Sequence, residues 1–196
     1  MSLDFSRRSA FAVIALSICL GLLSTPAQAQ YEPNFELSVQ GGYDRTFSVL
    51  KDFAEDGFAA GASLGYRFTD RLVLGGDLQF HSFHPNDSVT APFGGNIEIS
   101  STMVEYAGFA KLYLNDGKRR LYARGSAGLF HGRTEITYLG VQMAGTSDDP
   151  GMSGALGLEL FGRNNSATFF EASYRRLIGE DIHWVSFSVG ASFFIW

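Results

Sequence analysis

The last thirteen residues, Trp184 to Trp196, read WVSFSVGASFFIW. Val185, Phe187, Val189, Ala191, Phe193 and Ile195 share one parity, while Ser186, Ser188, Gly190 and Ser192 share the other. An extended chain sends alternate side chains to opposite faces, so this segment has one apolar face and one small polar face, as a β-strand does. An apolar strand at a chain end is an edge that recruits other chains unless something pairs with it. Pairing with the first strand of the same chain removes that edge and predicts a closed barrel.

Upstream, the chain resolves into about eight alternating segments of the 9 to 11 residues that a tilted membrane-crossing strand needs. Phe35, Leu37, Val39 and Tyr43 form the apolar face of the first, followed by Phe58 to Phe68 and then by Leu72, Leu74, Leu78 and Phe80. Val104, Tyr106, Ala110, Leu112 and Leu114 mark the fourth, and Leu121, Ala123, Ala127 and Leu129 the fifth. Leu156, Leu158 and Leu160 mark the sixth, and Phe170, Ala172 and Tyr174 the seventh. Thr69-Asp70, Asn115-Asp116-Gly117-Lys118 and Gly162 to Ser166 read as tight turns, the second with glycine where a hairpin demands positive φ. Asp44 to Asp56 and Phe83 to Asn96 read as longer loops, and the connection that leaves the fifth strand, which can extend past the membrane as far as Tyr138, and runs through Gly140 to Pro150 reads as the longest. The fold class is therefore all-β: a transmembrane antiparallel up-and-down barrel whose connections alternate long and short, with both termini at the short-turn, periplasmic end.

Alternation alone does not say which face meets water, since a lipocalin-like barrel alternates too. The composition of the second face decides it. Solvated strand faces favour Lys, Glu and Thr, whereas here that face is Gly, Ser and Ala with single charges, which suits a narrow interior filled by side chains. Aromatic residues gather at strand ends as interfacial girdles do, with Tyr66, Phe68, Tyr113 and Phe193 at one level and Tyr43, Phe58, Phe80, Tyr174 and Trp184 at the other. The inward charges are Glu36, Asp77, Glu105, Glu159 and Glu171 against Arg67, Lys111, Arg124 and Arg175. Buried ions are costly unless paired, so they form a structural or gating network. Strand adjacency suggests Glu36 with Arg67, Glu105 with Arg124, and Glu171 with Arg175 or Glu159.

The N-terminus reads as a secretory signal peptide: Arg7 and Arg8, an apolar run from Ala10 to Leu23, and the small-residue site Ala27-Gln28-Ala29. Cleavage there leaves residues 30–196 as one barrel domain and removes Cys19, the single cysteine, so disulfides and thiolate chemistry are excluded. Of 15 basic and 20 acidic residues, Arg7, Arg8 and Asp4 leave with the signal, and 13 against 19 remain. That balance gives no support to nucleic-acid binding. His81-Ser82-Phe83-His84 invites a hydrolase reading, but adjacent His81 and Ser82 point to opposite faces and the sequence shows no carboxylate placed to orient His81. Rim histidines are the better account, and a metal site of His81, His84 and Asp87 has weak spacing. No cofactor, metal or catalytic motif stands out.

Ser188-x-Gly190-x-x-Phe193-x-Ile195, with Trp196 one position beyond the usual end, resembles the C-terminal insertion signal of bacterial outer-membrane barrels. Phe194 and Trp196 fall on the inward parity, which places them at the periplasmic mouth. With the turn entry Tyr66-Arg67-Phe68-Thr69-Asp70, the chain resembles small outer-membrane barrels of the OmpA and OmpX type, the outer-membrane protein β-barrel domain family. The resemblance implies an integral protein of the bacterial outer membrane with a structural, envelope-integrity or surface-interaction role and no catalysis. A narrow pore or small hydrophobic-solute channel, and an outer-membrane lipid-modifying enzyme, are the alternatives. Its implied partners are outer-membrane lipid and lipopolysaccharide, the barrel-assembly machinery during biogenesis, and an extracellular ligand at the loops, with the chain itself a monomer.

Overall fold

The computed structural model describes residues 34–48, 54–85, 97–139, 141–162 and 165–195. The expected signal peptide, Asp87 and Trp196 lie outside the described residues. Eight strands follow one another: β1 (Asn34–Ser48), β2 (Ala54–Arg67), β3 (Leu72–Pro85), β4 (Ile97–Tyr113), β5 (Arg119–Tyr138), β6 (Val141–Phe161), β7 (Ser166–Leu177) and β8 (Ile182–Ile195). Each pairs antiparallel with its neighbours, and β1 pairs with β8 from Phe35↔Ile195 to Ser48↔Ile182, closing the barrel. The terminal strand therefore finds its partner in the first.

The alternation read from the sequence sets which way each side chain points. Leu37, Phe58, Leu78, Leu121, Leu156, Phe170, Phe187 and Val189 lie exposed on the outside, while Glu36, Asp77, Glu105, Lys111, Glu159, Glu171 and Arg175 are buried inside. Two aromatics assigned to the girdles turn the other way. Tyr113 and Trp184 are buried in the lumen, because each sits on the inward parity of its strand, with Lys111 and Ser186 respectively. The outer girdle pair Tyr43 and Phe58 meets edge to face at 6.3 Å, and Phe35, Tyr66 and Phe68 form the lower one.

Inside, glycine and aromatic residues are matched across strands. Gly157 lies opposite Tyr122, Gly190 opposite Phe169 and Gly75 opposite Phe109. A Cβ at each would come within 2.1–2.7 Å of the facing ring. The missing side chain is thus the space into which the ring folds, and the rings in turn fill the lumen.

The connections differ from expectation at one end. The turns at Thr69-Asp70 and Asn115 to Lys118 are as expected: Gly117 has φ +111°, Thr69 Oγ1 accepts from the Leu72 amide at 3.0 Å, and Arg71 pairs with Asp116 at 2.7 Å, linking the two. At the outer end, Asp44 is part of β1, and Val141 to Pro150, expected in a loop, is strand. β6 starts at Val141 and runs 21 residues, pairing with β5 in one unbroken register out to Tyr138↔Val141. The polar composition of Thr146 to Pro150 suggested a loop, but the alternation of Val141 and Met143 with Gln142 and Ala144 continues the strand. The result is a long ribbon standing on the barrel.

Close packing of the walls makes glycine replacements position-dependent. A Cβ on Gly128 would sit 2.0 Å from the Tyr106 carbonyl oxygen and 2.5 Å from Ala107 Cα, whereas one on outward Gly154 meets nothing within 4 Å. Gly128→Ala is expected to cost about 1–3 kcal/mol through overpacking, and Gly154→Ala less than about 0.5 kcal/mol. Urea unfolding in phospholipid vesicles, followed by heat-modifiable gel migration, measures both.

Candidate functional site

Two regions carry the features that function could use: the filled lumen and the sheet that projects from the outer rim. The lumen is layered. At the terminal end the Phe161 and Phe194 rings stack at 5.1 Å, with the guanidinium of Arg120 4.7 Å from the first and that of Arg67 4.9 Å from the second. Phe194 thus lines the mouth as its parity predicted. Above it, Lys111 Nζ bridges Glu36 at 2.7 Å and Glu159 at 3.1 Å. The Tyr113 hydroxyl donates to Glu159 at 2.5 Å, and Arg67 approaches Glu36 at 3.8 Å.

In the next layer Arg124 pairs with Asp77 and lies 3.7 Å from Glu171, whose carboxylate accepts from Tyr122 at 2.9 Å. Its guanidinium rests 4.1 Å from the Phe109 ring. Higher still, Arg175 donates to Glu105 at 2.9 Å, to Gln79 at 2.6 Å and to Ser186 at 2.8 Å, as well as to Ser173. His81 meets Asp44 at 2.6 Å, and Ser186 donates to the same carboxylate. Phe83, Phe130, Leu177 and Trp184 close the lumen over this layer.

All nine charges expected inside are there, but only Glu36 with Arg67 pairs as strand adjacency suggested. Glu105 takes Arg175 rather than Arg124, and Glu171 takes Arg124 rather than Arg175 or Glu159. The physical reason is width: in an eight-stranded barrel, long side chains from opposite walls meet at the axis. Lys111 on β4 reaches β1 and β6, and Arg175 on β7 reaches β3 and β4. The sequence reading missed Asp44, Tyr113 and Tyr122 as members of the network. Asp44 was legible, since it continues the inward parity of Glu36, Ser38, Gln40 and Gly42.

His81 is likewise no rim residue. It is fully buried, and Asp44 supplies the carboxylate that the sequence did not show. Ser186, His81 and Asp44 still do not form a nucleophile, base and orienter, because the serine bonds to the aspartate rather than to the imidazole and all three are sealed from solvent. His84 faces outward against Phe58 at 5.9 Å. Among the described residues no group of His, Cys, Asp or Glu could hold a metal ion.

At the outer rim the polarity of the faces inverts. Outward residues pass from Tyr43 to Arg45 on β1, from Phe80 to Ser82 on β3, from Leu129 to His131 on β5 and from Tyr174 to Arg176 on β7. Beyond that level, β4, β5 and β6 continue as a three-stranded sheet whose apolar side is the continuation of the inner wall. In register across it lie Ile97, Tyr138 and Val141 in one row and Ile99, Ile136 and Met143 in the next. Hydrocarbon therefore ends at the level of the inversion.

A closed eight-stranded antiparallel barrel with an apolar exterior and an ion-paired interior is a transmembrane barrel of the bacterial outer membrane. Comparison with known proteins agrees. Residues 15–193 match the outer membrane protein beta-barrel domain family, and the chain belongs to that family. Its fold is shared with Ail, the attachment invasion locus protein of Yersinia pestis, at TM-score 0.61 and 15% identity over 84% of this chain and 100% of that one. Neisserial surface protein A matches at TM-score 0.55 and 13% identity over 81% and 96%. The N-terminal barrel domain of Pseudomonas aeruginosa OprF matches at 0.50 and 18% over 83% and 97%. No curated relative matches the chain.

The network makes a direct stability prediction. Arg124→Ala leaves Asp77 and Glu171 buried without their cation, an uncompensated charge worth about 3–5 kcal/mol. The variant is expected to lose its folded, fast-migrating gel band at lower temperature in detergent than the parent chain. Arg124→Ala with Asp77→Asn and Glu171→Gln is expected to recover part of that loss.

Proposed function

We propose that this outer-membrane barrel is a non-conducting, non-catalytic anchor that stabilises the envelope and holds a protruding sheet at the cell surface for interaction with other molecules. The observation that carries the reading is the plugged lumen. Between the aromatic closures at its two ends, the space beside Glu36, Lys111, Arg124 and Glu171 amounts to about 10 Å³, room for one water at most. A hydrated ion or a small solute would have to displace several matched charges at once, which disfavours both pore and gate. The inward charges, Asp44 included, then act as a core that happens to be polar, fixing the walls from the axis.

On this reading the insertion signal Ser188, Gly190, Phe193, Ile195 and Trp196 serves the assembly machinery during biogenesis. Phe193 and Ile195 lie on the outside, as a signal read from the membrane side requires. Outward Arg45, Arg176 and His183, on the adjacent strands β1, β7 and β8, sit at the inversion level, where lipopolysaccharide phosphates would meet them. One structural neighbour, Ail, is known in complex with the heparin analogue sucrose octasulfate. That likeness makes the loops and ribbon the natural place for an external ligand here.

Planar-bilayer recording of the refolded protein tests the plug. No stepwise conductance above the bare membrane is expected, and steady ohmic steps in the parent chain would overturn the reading. Incubation with lipopolysaccharide followed by mass spectrometry is expected to return the lipid unchanged.

A further inference from the structure

The projecting sheet has an open edge. β7 pairs with β6 only as far as Leu177↔Gly151, with a last bond from the Ile178 amide to the Pro150 carbonyl at 2.7 Å. From Val141 to Asp149, β6 is paired with β5 alone among the described residues. Pro150 directs its carbonyl toward β7, whereas the Phe161 amide bonds to Lys118 on the β5 side. The register with β5 is unbroken, so Gln142, Ala144, Thr146 and Asp148 all turn their N–H and C=O groups to the open side.

Exposed edges of this kind are normally blunted by lysine, proline, bulges or inward charges. Here the stretch Val141 to Ser147, VQMAGTS, has none of them. Asp148, Asp149 and Pro150 stand only at its base. One face of the stretch carries exposed Val141 and Met143 beside exposed Tyr138, and the other carries polar Gln142 and Thr146. An unguarded, uncharged, two-faced edge is a surface for adding a strand.

We propose that the occupant is a second copy of this chain, paired through the same edge about a two-fold axis at Ala144. The proposal rests on the surface-interaction reading above and makes it specific. An antiparallel pairing centred there sets Gln142 against Thr146, Met143 against Gly145 and Val141 against Ser147 of the second copy. Both copies keep their apolar faces on the same side, and no like charges are brought opposite each other, because Asp148 and Asp149 fall against the turn. Each methionine lies over a glycine, with the two methionines diagonal neighbours within reach of long side chains. The three pairs that turn their backbones to the edge would exchange about six N–H···O bonds.

Strand direction decides where the second copy sits. Two-fold pairing joins like edges, and like edges of strands interleave only when the strands run antiparallel. Copies in one membrane all run β6 downward from tip to rim, so they present parallel strands. Copies in facing membranes present antiparallel ones. From the inversion level between Leu129 and His131 the ribbon extends about eight residues to Tyr138, or about 26 Å along the strand, which carries all but the base of the edge beyond the lipid headgroups. The contact is therefore one between cells, and the protein stays a monomer within its own membrane.

The test uses the full mature chain reconstituted into two phospholipid vesicle populations, one carrying a donor dye and the other an acceptor. The parent protein is expected to cluster the vesicles and raise energy transfer between populations at least fivefold over protein-free vesicles. Ala144→Pro, which removes an edge N–H without touching the β5 ladder, is expected to abolish this while heat-modifiable migration stays unchanged. Ala144→Lys and Ala144→Glu vesicles are each expected to remain dispersed alone and to cluster when mixed, because the two side chains meet at the axis. Dispersed parent vesicles, or clustering that Ala144→Pro leaves intact, would overturn the proposal. So would dispersal of clusters by an unrelated extended peptide as effectively as by a synthetic 141–147 peptide, which would show an edge open to any strand. A conducting barrel that still clusters vesicles would instead sink the plugged-lumen reading and leave this one standing.

Discussion

Hydrocarbon offers no hydrogen bonds, and every other feature of this chain follows from that. A backbone N–H or C=O left unpaired at membrane depth costs several kcal/mol, so a sheet can cross only if its first and last strands meet. The β1–β8 seam meets that requirement over fourteen residue pairs, from Phe35↔Ile195 to Ser48↔Ile182. Closing eight strands sets a narrow bore, and the bore then dictates what the inward side chains can be. Small residues must alternate with large ones, and charges must find partners across the axis rather than along the wall.

The lumen shows how that constraint is met. Gly75, Gly157 and Gly190 leave room for Phe109, Tyr122 and Phe169 to lie across their neighbours. The cations Lys111, Arg124 and Arg175 each serve more than one acceptor on strands that are not their immediate neighbours. Such a core is stiff because any one cation holds several strands together. It is also expensive to disturb piecemeal, since removing one partner strands the others in a place water does not reach.

Much of this was legible in the alternation of residues. Which face each strand turns outward, the positive φ of Gly117 and the inward position of Phe194 all follow from parity and turn chemistry, which act over a few residues. Tyr113 and Trp184 were misplaced by giving residue type precedence over parity: an aromatic at a strand end suggests a girdle, but its register had already pointed it inward. The ion-pair partners and the contact of Asp44 with His81 were not legible, because they depend on which walls face each other across the axis. The length of β6 was hidden for a different reason. Thr146 to Pro150 has the composition of a loop, and only the paired strand β5 shows that it is extended.

The level at which outward residues change from Phe, Leu and Tyr to Arg, His and Ser also acts as a gauge. From Phe35 to Tyr43 the outer surface of β1 stays apolar over nine residues. At about 3.3 Å per residue and a strand tilt of about 40°, the belt is about 20 Å high. A bilayer with a thicker oily layer would have to thin around the barrel or draw Arg45 and Arg176 beneath its headgroups, at a fraction of a kcal/mol for each ångström of mismatch. The protein is thereby matched to a thin membrane by its girth of side chains alone, and the address of the barrel is written partly in its height.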